Sequence, residues 1–202
     1  MPDASLSRQF AHWAANLRYE DLPPEVVDKL KALLLHALAG GMFGYRKSRA
    51  LDSVAQTLKE EGKPDGASIF ANGGRCTRVG AACVNAELIR ESQLVDSYRM
   101  LTHPGTVLIP VAMANAEMEG RSGKDLITGL AVGYEFMLRL CDDFVPATAA
   151  RGYRPCPVYC TMGGSLVAGK LMELDEDKLG AAIALAANFA SGISEGSLSG
   201  GN

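Results

Sequence analysis

The chain has 202 residues, 48% hydrophobic and 21% charged, with 20 Lys+Arg against 23 Asp+Glu. That is enough ordinary globular chain to bury a core, and it excludes a disordered protein. A net charge of -3 leaves no basic footprint for nucleic acid and no polybasic membrane patch.

No run reaches the ~18 uninterrupted apolar residues of a spanning helix. The most apolar segment, 126–140, is broken by Gly129, Gly133, Glu135 and Arg139. The N-terminus, Met1-Pro-Asp-Ala-Ser-Leu-Ser-Arg8, lacks the basic-then-apolar order of a secretory signal. The cysteines, Cys76, Cys83, Cys141, Cys156 and Cys160, are odd in number and too sparse for a disulfide framework. They are expected to be reduced, in a cytoplasmic compartment.

Taken in chain order, the first helix is expected over 5–17, where Leu6, Phe10, Trp13 and Leu17 form an apolar stripe. A second begins at Pro24, with Glu25 in its first turn and Val26, Val27, Leu30, Leu33, Leu34 and Ala37 inward. Gly40-Gly41 is expected to weaken or end it. A third spans 49–59, with Leu51, Val54, Ala55 and Leu58 inward. The cluster 62–66 reads as a turn, 67–71 as the only, very short, extended segment, and Asn72-Gly-Gly74 as another turn.

Thr77 is a predicted N-cap for a helix to about Glu91. A polar connector, 92–105, follows. Residues 107–118 resume a helix with Pro110 in its first turn. The clearest helix is 124–140, apolar on most sides and therefore central or covered by another chain, with Gly129 and Gly133 one turn apart for close approach of a neighbour. Residues 142–157 read as irregular. Two last helices, 163–173 and 176–190, flank a corner at Leu174-Asp175, with Asp175 as N-cap. The expected fold is all-α, with two functional-looking loops, 92–105 and 142–160.

No phosphate-binding glycine spacing, nucleophile elbow or four-ligand zinc pattern is present. No cofactor and no metal are therefore expected. Of three histidines, His12 and His36 lie on helices and suit packing or surface positions. His103 sits in Thr102-His-Pro-Gly105, before a helix, where an imidazole suits acid/base work near neutrality. The second loop carries Arg151, Tyr153 and Arg154. Its guanidinium groups could fork onto carboxylates, and the same residues also suit a solvated loop.

The combination resembles the MmgE/PrpD family, which includes 2-methylcitrate dehydratase, cis-aconitate decarboxylase and iminodisuccinate epimerase. The matching pieces begin with His103-Pro-Gly105, Val111-Ala-Met-Ala-Asn-Ala-Glu117 and Gly120-Arg-Ser-Gly-Lys-Asp-Leu126. They continue through Ala131-Val-Gly-Tyr-Glu135, Arg139, Arg151-Gly-Tyr153, Gly163-Gly164, Ala168-Gly-Lys-Leu171, Leu174-Asp175 and 186–192. Earlier, Leu22-Pro-Pro-Glu-Val-Val27 and Ala81-Ala-Cys-Val-Asn85 fit too.

The resemblance implies that 1–202 is part of a large helical domain, whose family pairs it with a smaller lid domain. It implies a homodimer or heteromer and metal-independent lyase or isomerase chemistry: proton abstraction next to a carboxylate, leading to dehydration, decarboxylation or epimerisation of a polycarboxylate. It assigns acid/base work to His103 and Asp96, and substrate binding to Ser97, Arg151, Tyr153 and Arg154.

Three departures stand out. The family's Asp-Phe-Asp-Asp-Thr is Gln93-Leu-Val-Asp-Ser97 here, and its Arg-Gly-Phe-His is Arg151-Gly-Tyr-Arg154. Arg154 can bind a carboxylate but cannot shuttle a proton near pH 7. The chain also stops at Asn202, just before the position of a family site lysine. The expectation is that a second polypeptide, or the rest of a cleaved precursor, completes the site. The alternatives are a non-catalytic scaffold subunit, or a diverged member catalysing a cyclisation or rearrangement.

Overall fold

A computed structural model describes residues 5–99, 102–195 and 199. Among them, eight α-helices carry the fold, with one short antiparallel pair of strands. The helices are α1 (Leu6–Asn16), α2 (Pro24–Gly44), α3 (Ser48–Glu61), α4 (Arg78–Glu91), α5 (Gly105–Met118), α6 (Gly123–Ala150), α7 (Pro155–Leu171) and α8 (Glu176–Phe189). The strands are β1 (Gly62–Ser68) and β2 (Arg75–Cys76). The fold is all-α, as expected. The extended segment starts at Gly62 rather than 67, because the turn-rich residues before it join the strand.

Local signals place several helix starts. Thr77 accepts from the Gly80 N–H, Asp175 from the Lys178 N–H, and Ser122 forms a reciprocal capping box with Asp125. These side chains satisfy first-turn donors that the helix cannot pair internally.

Tertiary packing decides where other helices stop. Gly40 and Gly41 do not end α2, which runs to Gly44. A Cβ at Gly44 would stand 1.8 Å from the Leu88 carbonyl oxygen, so the bare backbone lets α2 lie against α4. In α3, Val54 is buried but Leu51 is 42% exposed and Ala55 faces solvent. The inward stripe is narrower than the apolar pattern implies. In α1 the same holds: Ala11 and Ala14 are fully buried, while Leu6 is 83% exposed.

The largest difference is at α6. Its helix continues ten residues past Leu140, through Pro146, to Ala150. Cys141 and Val145 extend the buried stripe of Met137 at four-residue steps. Pro146 is on the exposed side, so the carbonyl it leaves unpaired can meet water. Helix α7 likewise starts at Pro155, not Gly163. Pro155 and Pro157 lie in its first turn, where amides have no helical partner anyway.

Helix α6 is the central element, packed on α5, α7 and α2. Its own chain covers the apolar surface from Ile127 to Met137. Leu171 packs on Gly129, and Val167 and Gly163 on Gly133, which is the close approach expected there. A second, smaller core joins α1 and α8 to the far side of α6 and α7. There Phe10 meets Trp13 and Phe136 edge-on, with ring centres 4.8 and 4.7 Å apart. No described helix is long and apolar enough to cross a membrane.

Candidate active site

The connector between α4 and α5 turns off α4 at Ser92, whose buried hydroxyl donates to the Ile89 carbonyl at 2.6 Å and accepts from the Leu94 N–H at 3.0 Å. Gln93 follows in the left-handed region, with φ 60°. Its side chain folds back on α4, accepting from Arg90 Nη1 at 2.9 Å and donating to the Arg90 carbonyl at 3.1 Å.

Asp96 organises the next stretch. Its carboxylate accepts from the Gly105 N–H at 2.9 and 3.0 Å and from the Tyr134 hydroxyl at 2.8 Å. Gly105 opens α5, so this negative charge also sits at the favourable end of the helix dipole. A Cβ on Gly105 would lie 2.9 Å from both Asp96 Oδ2 and Tyr134 Oη. The glycine of the His-Pro-Gly motif is thus needed to let the carboxylate and phenol meet. Burial, then the adjacent Asp96 charge, pushes the Tyr134 phenol up, so it remains a donor.

The main chain of Asp96 positions His103. Nδ1 of the ring lies 2.9 Å from the Asp96 carbonyl oxygen. A carbonyl only accepts, so Nδ1 carries the proton and the neutral ring keeps its lone pair on Nε2. The His103 carbonyl accepts from the Thr106 hydroxyl at 2.6 Å and faces Cys156 Sγ at 4.0 Å.

A second clamp holds the outer arm of the loop. The Tyr98 N–H donates to the Thr102 carbonyl at 3.0 Å, and the Thr102 hydroxyl donates back to the Tyr98 carbonyl. Both the Tyr98 hydroxyl, at 2.7 Å, and Arg99 Nε, at 3.0 Å, donate to Asp142 of α6. These donors hold the Asp142 carboxyl below its ordinary range.

Asp96 and Ser97 line a surface cleft of about 830 Å³, shared with Tyr134 and with Lys29 and His36 of α2. His103 is half-buried on the other side of the loop, toward α7. The expected site residues therefore divide between two faces of one loop.

The second predicted loop is short, because α6 and α7 absorb most of 142–160. Arg151 caps α6 and donates to the Ala147 carbonyl at 3.3 Å; its side chain is exposed. Tyr153 is 43% exposed and its backbone pairs with Ile193. Arg154 is half-buried at the N-cap of α7; its N–H donates to the Gly192 carbonyl at 2.8 Å. Its charge reaches Cys156. His103, Arg154 and Cys156 thus share one neighbourhood.

Sequence reasoning missed Tyr134, Asp142 and Cys156. Tyr134 does stand inside the Val132-Gly-Tyr-Glu135 motif, which is the one signal that points to it. Among the described residues, no group of three or more His, Cys, Asp or Glu side chains is arranged to hold a metal ion.

A histidine whose Nδ1 is bonded to a main-chain carbonyl on a clamped loop can accept a proton at Nε2. Residues 8–199 match the model of the MmgE/PrpD N-terminal domain, and the chain belongs to that family. It is 26% identical over 197 residues to a cis-aconitate decarboxylase of Aspergillus terreus, covering 94% of this chain and 40% of that protein. It is 26% identical over 202 residues to a cis-aconitate decarboxylase-like protein of Aspergillus oryzae, covering 95% and 42%. A human cis-aconitate decarboxylase is 27% identical over 192 residues, covering 92% and 40%. The chain therefore spans about two fifths of the length of these relatives.

Proposed function

We propose that this chain supplies the histidine-bearing wall of a lyase or isomerase active site. The reaction is proton transfer at carbon next to a carboxylate, in the dehydration, decarboxylation or epimerisation of a polycarboxylate. The observation that carries this reading is the Nδ1 bond of His103 to the Asp96 carbonyl, which presents Nε2 as a base. Asp96 acts as a positioning residue, through its carbonyl on His103 and its carboxylate on α5. Tyr153, Arg151 and Arg154 bind substrate carboxyl and hydroxyl groups, with the fixed guanidinium forks suited to carboxylates, while Ser97 lines the cleft on the opposite face of the loop. The cis-aconitate decarboxylase relatives support a tricarboxylate as the first substrate class to assay.

The rest of the site, including a further cation and a lid, is assigned to sequence beyond this helical domain, on a second polypeptide or a longer precursor. The assembled protein is a dimer or heteromer. The test assays the chain alone and with such a completing polypeptide on cis-aconitate and related tricarboxylates, following product and solvent deuterium uptake by NMR. His103→Gln should lower turnover at least ~100-fold if it carries proton transfer. Unchanged turnover would remove His103 from the chemistry.

A non-catalytic scaffold is the second reading. It is favoured by Gln93, which stands where the family has its first acid and turns back onto Arg90. Tight pairing with the completing polypeptide and no turnover of any polycarboxylate would select it.

A further inference from the structure

Cys156 and Cys160 are the second and sixth residues of α7, and their sulfurs lie 3.4 Å apart. Both are free thiols. Cys156 is half-buried, facing the His103 carbonyl, while Cys160 lies behind it and is 1% exposed. The proposed proton transfer uses neither.

Their surroundings treat the two sulfurs differently. The contact with the Cys160 sulfur, 3.4 Å away, lowers the Cys156 thiol, and the Arg154 guanidinium adds to this, against burial. Together they bring the Cys156 thiol down to about 6. The first turn of a helix also favours an anion. Cys160 is pushed up by its contact with Cys156 and by burial. The other titratable groups facing the pair include Asp96 and, on α6, Tyr134 and Cys141, whose thiol burial raises to about 11. A reachable thiolate touching a buried protonated thiol is the pairing of an attacking and a resolving cysteine.

We propose that Cys156 and Cys160 form a dithiol site that reduces hydroperoxides and closes reversibly to a disulfide. The Cys156 thiolate attacks one peroxide oxygen. The O–O bond breaks, the leaving oxygen takes a proton from solvent, and sulfur is oxidised to a sulfenic acid. Cys160 then attacks that sulfur. An S–S bond forms, the S–O bond breaks, and the departing hydroxide takes the Cys160 proton as water. Two thiols lose two electrons and two protons, and the peroxide is reduced. Closure brings the sulfurs from 3.4 Å to about 2.05 Å, drawing Cys156 away from the His103 carbonyl within the first turns of α7.

The whole chain is treated with hydrogen peroxide at pH 7, unfolded, blocked with N-ethylmaleimide and digested with trypsin. One peptide, 152–170, contains both cysteines and no other. It should lose both maleimide adducts and two hydrogens in mass, and regain both adducts after dithiothreitol. The exposed Cys83 serves as the internal reference and should keep its adduct. In Cys160→Ser, oxidation should stop at a Cys156 sulfenic acid that dimedone traps. Retention of both adducts when Cys83 is already oxidised would overturn the proposal. Direct passage of Cys156 to sulfinic acid in the parent chain, with Cys160 untouched, would overturn it too.

Discussion

Replacing Tyr134 by Phe isolates the bond that anchors the His103 loop. The ring is 7% exposed and its shape is kept, so no cavity opens. What is lost is one hydrogen bond, 2.8 Å long, from the phenol to the Asp96 carboxylate. Hydrogen bonds to charged groups are worth about 1.5–3 kcal/mol. Asp96 keeps the Gly105 N–H and is only half-buried, so water can replace part of the loss. The expected cost is therefore ~1–2 kcal/mol, or a fall in melting temperature of ~2–8 °C for a chain this size. Thermal unfolding by circular dichroism gives the total. Hydrogen exchange gives its location: amides of 94–99 and 102–106 should exchange faster, while those of α8 stay unchanged. A melting temperature within ~1 °C of the parent, with unchanged exchange in the loop, would show that this bond does not anchor it.

Asn85→Ala should cost about 2–4 kcal/mol, because the buried side chain accepts from the Phe70 N–H at 2.7 Å and donates to the Ser68 carbonyl at 2.9 Å, and both would lose their partner; a urea midpoint equal to the parent's would refute that accounting. Gly133→Ala places a Cβ 2.2 Å from Val167 Cγ2, so overpacking of about 1–3 kcal/mol should outweigh the helix-propensity gain of up to about 1 kcal/mol. Gly129→Ala first meets the Leu171 side chain, at 3.1 Å rather than 2.2 Å, and should cost less than Gly133→Ala, so equal urea midpoints for the two variants would contradict the packing. For pH, hydrogen bonds from neighbours lower the carboxyls of Asp21, Asp125, Asp142 and Asp175, first among them those from Arg18, Ser122, Arg99 and Lys178. The unfolded chain then takes up protons first, so their contribution is intact above about pH 4 and is lost as pH falls through the lowered folded values. Denaturation midpoints should drop between about pH 5 and pH 3, and a rise over that interval would reverse the sign.

Much of the helical order was legible because its signals are local. Thr77, Asp175 and Ser122-Gly-Lys-Asp125 carry their own cap chemistry, and a first-turn proline marks the start of α2. What was not legible depends on contacts between elements. The prolines at 146, 155 and 157 look like breakers until α6 and α7 are seen to place them on an exposed side or in a first turn. Leu51 and Leu6 fit an inward stripe by spacing alone, but among the described residues they stay exposed. At the site, the His103-Pro-Gly105 motif is readable, yet the reason for its glycine is not. That reason is the meeting of Asp96 with Tyr134, 38 residues further along the chain.

The extra length of α6 links these observations to the chemistry. Both clamps on the His103 loop come from this helix: Tyr134 holds Asp96, and Asp142 holds Tyr98 and Arg99. A helix ending at Leu140, as the apolar pattern alone implies, would leave the second clamp without a rigid base. With α6 continuous to Ala150, the orientation of His103 depends on where α6 sits against α7. Gly133, next to Tyr134, sets that separation through Val167 and Gly163. Cys156, at the start of α7, touches the His103 carbonyl from the opposite side. The loop that carries His103 is thus held between two helices whose spacing is governed by a glycine. Gly133→Ala should therefore loosen the loop as well as the core, raising hydrogen exchange at 94–99 together with that of α7. Exchange that rises in α7 alone would separate the helix packing from the site.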